Sequence, residues 1–384
     1  MKKFEKEMML IKKGTEEIIS ESEMVKKLER SKETGIPLRI KYGIDPTASD
    51  VHIGHLVPIR KMREFQDLGH TGVIIIGDFT AQIGDPTGKD ESRPPLNAEN
   101  VKKNAEKYME QMYTVLDKEK TEVRWQTEWF GEMSMADVLK LMGKFTVAQI
   151  MAHDTFRKRY ENGISLGLHE IMYPLLQAYD SVAINADVEL GATEQKFNIL
   201  AGRDMQRYFG QPQQIALLSP ILMGTDGKEK MSKSLNNYIA VFDEPKDKYG
   251  KTMSIPDDMI INYFNYATKV APEEIKKIEE HLKDESINPK VIKQRLAREI
   301  VALYHGEEAS FKAEEEFNLI FSKKEIPDEM PEFKISNPMK ILDILTGSKT
   351  CASGGEARRL IKQNAVSVDG EKVKDMFMEI SDEC

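Results

Sequence analysis

A continuous apolar run, Val73–Ile76 (VIII), follows a helical stripe of Leu56, Ile59, Met62, Phe65 and Leu68, and that stripe follows a short strand-like stretch, Pro37–Tyr42 (PLRIKY). The stripe recurs on one face of a 3.6-residue helix, with Asp50 as the expected N-cap and Gly69 as the stop. An uninterrupted apolar run marks a strand covered on both faces. Strand, helix, strand in this order is a βαβ unit, which implies a parallel sheet. Asp45-Pro46-Thr47 reads as the turn leaving the first strand. Pro58 falls inside the expected helix and is expected to remove one backbone hydrogen bond near its start. Residues 1–35 read as charged helix, stopped by Gly35 and Pro37.

A second strand-and-helix region runs to Ser234, so residues 1–244 read as one α/β domain with an N-terminal helix. Beyond Pro245 the pattern is helical. Ala271-Pro272-Glu273-Glu274 and Asn288-Pro289 place proline at a first helical position. Ile292, Leu296, Ile300 and Leu303 then form a stripe up to His305-Gly306. Residues 245–323 read as an all-helical domain, 324–337 as a linker with Pro327 and Pro331 just before Pro338, and 338–384 as a small module. A length of 384 residues suits two or three domains.

With 40% hydrophobic and 31% charged residues the chain is globular rather than disordered. No apolar run approaches the roughly 20 residues of a membrane helix. The N-terminal MKKFEKEMMLIKKG lacks a signal-peptide apolar core, so a cytoplasmic location is expected. Cys351 and Cys384 make neither a disulfide framework nor a zinc site. The net charge of −9 means that any nucleic acid must be met by local positive charge.

Two histidines, His52 and His55, bracket Gly54 at the start of the expected helix. Histidines at i and i+3 share a helical face and suit a metal, but no third histidine or cysteine is near. Their place after a buried parallel strand also suits a nucleotide, since helix N-termini attract phosphate. Imidazole donors would add hydrogen bonds there, and Gly54 would let a base or ribose approach the backbone. Further on, Gly224–Asn237 reads GTDGKEKMSKSLNN. Lysines at 230 and 233 beside Ser232 and Ser234, after the flexible Gly227, suit either a solvated loop or a mobile clamp on polyphosphate.

The His-Ile-Gly-His and Lys-Met-Ser-Lys-Ser segments, in that order, resemble the two signatures of class I aminoacyl-tRNA synthetases. That resemblance implies ATP-dependent activation of an amino acid and its transfer to tRNA, with the histidines as phosphate ligands. In IMYPLLQAYD, Tyr173, Gln177 and Asp180 project from one helical face among apolar neighbours. A buried carboxylate there suits a phenol, because leaving it unpaired costs about 1–3 kcal/mol or more. This pattern resembles the tyrosyl-tRNA synthetases of bacterial type, as do KYGIDPTASDVHIGH (Lys41–His55), GDPTGK (Gly84–Lys89) and GATEQKFNIL (Gly191–Leu200). The similarity runs from Leu38 to the C-terminal module.

The resemblance implies a Rossmann-like parallel-sheet catalytic domain, a helical domain on the anticodon side and a small α+β RNA-binding module. It implies that Asp85, Tyr173 and Gln177 hold the tyrosine ammonium, Asp180 the phenol and Gln195 the carboxylate. Thr47 and His52 would bind the γ-phosphate, and His55, Gly54, Gly43 and Asp45 would line the nucleotide site. Glu194 would meet the ribose. Lys230 and Lys233 would stabilise pyrophosphate, with Met231, Ser232 and Ser234 in the same ATP-binding segment. Magnesium would arrive with ATP, without a tightly bound protein-ligated metal. The chain departs from many relatives at Ala192 and Glu194, where glycine and aspartate are usual. Lys41 stands where some branches place a second tyrosine against the phenol, and marks a subtype.

In ASGGEARRLIKQNAVSVDGEKV (Ala352–Val373), Arg358, Arg359 and Lys362 lie close on one helix. The segment resembles the small RNA-binding domain shared by ribosomal proteins and bacterial tyrosyl enzymes. Residues 338–384 hold seven Lys/Arg against eight Asp/Glu, and the chain ends in an acidic SDEC where relatives continue with a basic strand. The implied partners are tRNA(Tyr), L-tyrosine, ATP and a second copy of the chain. The alternatives are a tryptophanyl enzyme, a non-catalytic RNA-binding scaffold and a tRNA-independent tyrosine-adenylating enzyme. Asp180 weighs against the first, the paired signatures against the second, and the helical domain with Arg358 and Arg359 against the third.

Overall fold

The computed structural model describes residues 4–46, 51–85, 98–283 and 288–322, with shorter stretches between 333 and 380. The chain forms two compact units, Met1–Asn318 and Leu319–Cys384.

The first unit is built on a six-stranded sheet: β1 (Glu17–Ile19), β2 (Arg39–Ile44), β3 (Thr71–Ile76), β4 (Thr121–Trp125), β5 (Val188–Ala192) and β6 (Ile215–Ser219). Their spatial order is β1-β6-β5-β2-β3-β4. Strands β2 to β6 pair in parallel, and β1 adds antiparallel to β6. The apolar run Val73–Ile76 is the buried heart of β3, as its composition demands. From β2 the chain moves outward to β3 and β4, then returns to β5 and β6 on the other side. The order therefore reverses between β2 and β5, and the crevice above their carboxyl ends is where such sheets take ligands.

Among the helices of this unit are α1 (Glu5–Lys12), α2 (Glu21–Thr34), α3 (Leu56–Asp67), α4 (Leu168–Ala183) and α5 (Lys196–Tyr208), of which α3 and α4 carry residues of the site. The expected single helix over 1–35 is instead α1, β1 and α2. Gly14, at φ +62°, turns the chain after α1. The Glu16 amide then donates to Leu218, starting the pairing with the sheet edge. A new helix begins where Ser20 caps the amide of Glu23, and Gly35 at φ +69° ends it as expected. Sequence periodicity misses a three-residue edge strand between two charged helices.

Helix α3 begins at Leu56 with His55 as N-cap, not before His52. Pro58 thus sits in the first turn, where its missing N–H would have had no helical partner, and no hydrogen bond is lost. Asp50 lies outside the described residues.

After β6 come α6 (Pro245–Met253), α7 (Ile260–Ala267), α8 (Pro272–Leu282), α9 (Pro289–His305) and α10 (Glu307–Ser322). Pro272 and Pro289 occupy first helical positions. Ile292, Leu296 and Ile300 pack with Tyr263 and Phe264 into an apolar cluster that also contains Ile53, Val57 and Met231. These helices therefore share their core with the histidine turn and the lysine segment.

The second unit contains α11 (Ile341–Gly347) and α12 (Gly354–Lys362). Strand β7 (Met339–Lys340) pairs with β10 (Glu379–Ile380), and β8 (Ser367–Val368) with β9 (Glu371–Lys372). Ile341, Ile361 and Val373 form its core. Cys351 is a buried free thiol, and Cys384 lies outside the described residues.

Candidate active site

A cavity of about 620 Å³ opens at the crevice between β2 and β5. Its walls join three segments far apart in sequence: the end of β2 with the histidine turn, one face of α4, and Lys230–Ser234.

The histidine turn is held from both sides. Its Ile53 amide donates to Ile239 O, and the Val241 amide donates to Val51 O, each at 3.0 Å. His52 and Ala240 form the bridge between them. The turn is thereby tied to the chain that leaves Lys230–Ser234. Within it, the His52 and His55 rings stack with centroids 3.6 Å apart, 20° from parallel. A Cβ at Gly54 would lie 3.0 Å from His52 Nδ1, so a side chain there would push the ring aside. Burial, then His55 and Lys233, lower His52 to about 3. Burial, then Lys233 and Lys230, lower His55 to about 4. Both imidazoles are neutral near pH 7, and each offers one N–H donor.

The cations come from the lysine segment. Met231 is buried in the shared apolar cluster and anchors it. The Ser232 amide donates to Asn237 Oδ1 at 2.8 Å, and the Ser232 and Ser234 hydroxyls lie 2.9 Å apart. Lys230 Nζ sits 3.4 Å from Glu194 Oε2, with both residues exposed. Lys233 and Ser234 also line the cavity. Gly43, at the end of β2, has open space where a Cβ would project.

The other half of the cavity is polar, with Tyr173, Thr80 and Asp180 buried and Asp45, Asp85, Gln177 and Gln195 half-buried. Tyr173 Oη donates to Asp45 Oδ2 at 2.8 Å, and Thr80 Oγ1 donates to Asp45 Oδ1 at 2.6 Å. Gln195 Nε2 donates to Asp85 Oδ2 at 2.8 Å. Gln177 Nε2 donates to Glu189 Oε1 at 3.2 Å. Asp180 accepts from Gln126 Nε2 at 2.8 Å and from Trp129 Nε1 at 3.1 Å. Burial pushes its carboxyl up to about 7, against the pull of Lys41 and of the Gln126 hydrogen bond. A carboxylate has about four lone-pair sites, so two donors leave room for a substrate hydroxyl.

Tyr173, Gln177 and Asp180 thus share one wall, as their helical spacing requires, and Asp45, Asp85, Glu194 and Gln195 stand around it. Thr47 lies outside the described residues. In the second unit, Arg358 and Arg359 are exposed on α12, and Lys362 ends that helix with its side chain undescribed. Sequence reading misses Gln126 and Trp129. They follow β4 at the same carboxyl edge of the sheet, which is the one general signal that points to them. Thr80 and Glu189 carry no spacing that marks them.

The family described as "tRNA synthetases class I (W and Y)" matches residues 32–322, and "Tyrosine--tRNA ligase SYY-like C-terminal domain" matches residues 323–384. The tyrosine–tRNA ligase of Thermotoga maritima is 48% identical over 372 residues, covering 97% of this chain and 92% of that protein. The tyrosine–tRNA ligase of Moorella thermoacetica is 46% identical, covering 98% and 91%. In fold, the tyrosyl-tRNA synthetase of Archaeoglobus fulgidus, solved with L-tyrosine, aligns with a TM-score of 0.64 at 22% identity, over 80% of this chain and 98% of that one. A family match over most of the chain, and close to half identity along nearly its full length, make this chain a member of the class I tRNA synthetases of the tryptophan and tyrosine type, in the tyrosine–tRNA ligase branch.

Proposed function

We propose that the chain activates L-tyrosine with ATP and then esterifies tRNA(Tyr) with it. The observation that carries this is the single cavity in which the histidine turn, the lysine segment and the Tyr173–Gln177–Asp180 face meet. The tyrosine carboxylate attacks the α-phosphorus in line. A P–O bond forms to the carboxylate as the bond to the β-phosphate bridge breaks, and pyrophosphate leaves. The 3′-terminal ribose hydroxyl of the tRNA then attacks the acyl carbon and releases AMP. No covalent enzyme intermediate is required. Charge builds on the phosphates, where Lys230 and Lys233 supply positive charge and His52 and His55 supply neutral N–H donors. Thr47 completes the γ-phosphate contacts in this reading. Magnesium comes with ATP, held by phosphate and water.

On the amino-acid side, Asp85, Tyr173 and Gln177 take the ammonium, Gln195 the carboxylate, and Asp180 the phenol. Glu194 takes the ribose, with Asp45, Gly43 and Gly54 along the nucleotide. A site built to bond a substrate hydroxyl rejects the analogue that lacks it, and tyrosine against phenylalanine is the reference case.

The domain plan in this proposal is a catalytic part to residue 244, a helical part at 245–323 for the anticodon side, a linker at 324–337, and an RNA-binding module from 338. The exposed Arg358 and Arg359, with Lys362, are its phosphate contacts. A homodimer is part of the same proposal. Met135, Leu139 and Met142 lie at i, i+4 and i+7 of one short helix and are exposed, as is Val147 beyond it. Such an apolar face calls for a partner. No helix among the described residues is long and apolar enough to cross a membrane. A cytoplasmic location is part of the same proposal.

The test is ATP–pyrophosphate exchange without tRNA, run separately with tyrosine, phenylalanine and tryptophan. Exchange with tyrosine alone is expected. Exchange with tryptophan would reassign the pocket, and no exchange with any of the three would leave a non-catalytic scaffold.

A further inference from the structure

Behind the amino-acid wall lies an ion pair that does not reach the cavity. Lys41 on β2 is fully buried, and its ammonium is 2.9 Å from Glu189 Oε1 on β5. The same ammonium donates to Gln177 O at 2.8 Å and Ser181 Oγ at 2.7 Å, both on α4. An ammonium has three donors, so these acceptors fill it and none remains for a substrate hydroxyl.

Glu189 is filled as completely. Its Oε1 accepts from Lys41 and, at 3.2 Å, from Gln177 Nε2. Its Oε2 accepts from Ser181 Oγ at 3.2 Å and from Gln214 Nε2. The result is a closed network that fastens the α4 turn carrying Gln177, Asp180 and Ser181 to two adjacent strands. Gln177 is tied at both its main-chain oxygen and its side-chain amide. Stability alone gives little reason for such a pair, because apolar residues of similar volume often serve as well in a core. What apolar residues do not supply is a fixed depth and rotation of the helix.

We propose that Lys41 and Glu189 are positioning residues for the amino acid, locking the Gln177–Ser181 turn of α4 so that Gln177 and Asp180 face the substrate. In place of a tyrosine that touches the phenol, position 41 then governs recognition from behind the pocket. Lys41 also acts on Asp180 through its charge, opposing both burial and Glu189. The inference rests on the tyrosine-activating reading above.

The experiment measures KM for tyrosine and KM for ATP by pyrophosphate exchange in E189Q, K41M and K41M/E189Q, with thermal melts of each. Each single variant is expected to raise KM for tyrosine about tenfold while KM for ATP stays within about twofold. The double variant, with no unpaired buried charge, is expected to melt close to the unsubstituted protein yet keep the raised KM for tyrosine. A merely structural pair would not leave that residue of damage. If K41M does not fold, E189Q and the double variant still decide. A wild-type KM for tyrosine in E189Q and in the double variant would overturn the positioning role. Absence of tyrosine-dependent exchange in the unsubstituted protein would overturn the parent reading, and this one with it.

Discussion

The rings of His52 and His55 stack face to face at 3.6 Å, in a turn that ends where α3 begins. Burial holds them well below the ordinary histidine value of 6.5, at about 3 and about 4. The unfolded chain binds protons at these sites at pH values where the folded chain does not. Their contribution to stability is therefore complete above pH 6.5 and is lost as pH falls toward 4 and then 3. For the deeply buried His52 alone the loss is about 1.4 kcal/mol per pH unit. Replacing both by asparagine should flatten the urea midpoint between pH 7.5 and 5 relative to the unsubstituted protein. An equally steep fall in the double variant would place the acid sensitivity elsewhere.

Lys230 rests on Glu194 at 3.4 Å, and the proposed function gives Lys230 to the phosphates of ATP and Glu194 to its ribose. An exposed pair of this kind contributes at most about 1 kcal/mol to stability. Binding would exchange it for a phosphate contact and a ribose contact. Lys230→Ala should leave the melting temperature nearly unchanged and lower kcat for tyrosine activation about 10²–10³-fold, the usual effect of removing one charge-stabilising donor. KM for tyrosine should hold. Stopped-flow or exchange kinetics with each substrate varied in turn would check this. A change confined to KM for tyrosine would contradict the assignment.

Burial pushes the Asp180 carboxyl up to about 7, and in the proposed function this group accepts a phenolic hydroxyl. A carboxyl raised in the folded state favours folding below its unfolded value and loses that contribution as pH rises through about 7. Recognition runs the other way, since the ionised form is the acceptor. kcat/KM for tyrosine reports the free enzyme and should therefore fall on the acid side of about pH 7. In Asp180→Asn that limb should vanish, and the preference for tyrosine over phenylalanine should collapse. A limb unchanged in the variant would assign it to another group.

The parallel strands β2 and β3 and the histidine turn are legible in the sequence because their signals are local. The run Val73–Ile76 states its own burial, and His52 to His55 is contiguous. Tyr173, Gln177 and Asp180 are brought together by helical spacing alone. What stays hidden is whatever depends on the crossing of distant segments. Asp180 takes its hydrogen bonds from Gln126 and Trp129, which reach it only because β4 and α4 converge at one end of the sheet. Lys41 reads as a lost phenol contact, and only the pairing of β2 with β5 shows it bonded to Glu189. The edge strand β1 is hidden for the same reason, since its three residues are extended only because β6 is beside them.

The helix Met135–Met142 presents Met135 at 74%, Leu139 at 59% and Met142 at 44% exposure, on one face, while Leu141 on the other is buried in the core. A helix capped by Ser134 and Asp137 in a full capping box does not need those side chains to form. Their exposure is a liability unless a second surface covers them, and the proposed homodimer supplies one. Leu139→Glu changes a side chain that touches little within its own chain, so folding should be altered by no more than about 0.5 kcal/mol. A buried unpaired carboxylate at a subunit interface is far more disruptive. The unsubstituted protein should sediment as a dimer and the variant, at the same concentration, as a monomer with an unchanged circular dichroism spectrum. Equal sedimentation of the two proteins would show that this face is not the interface.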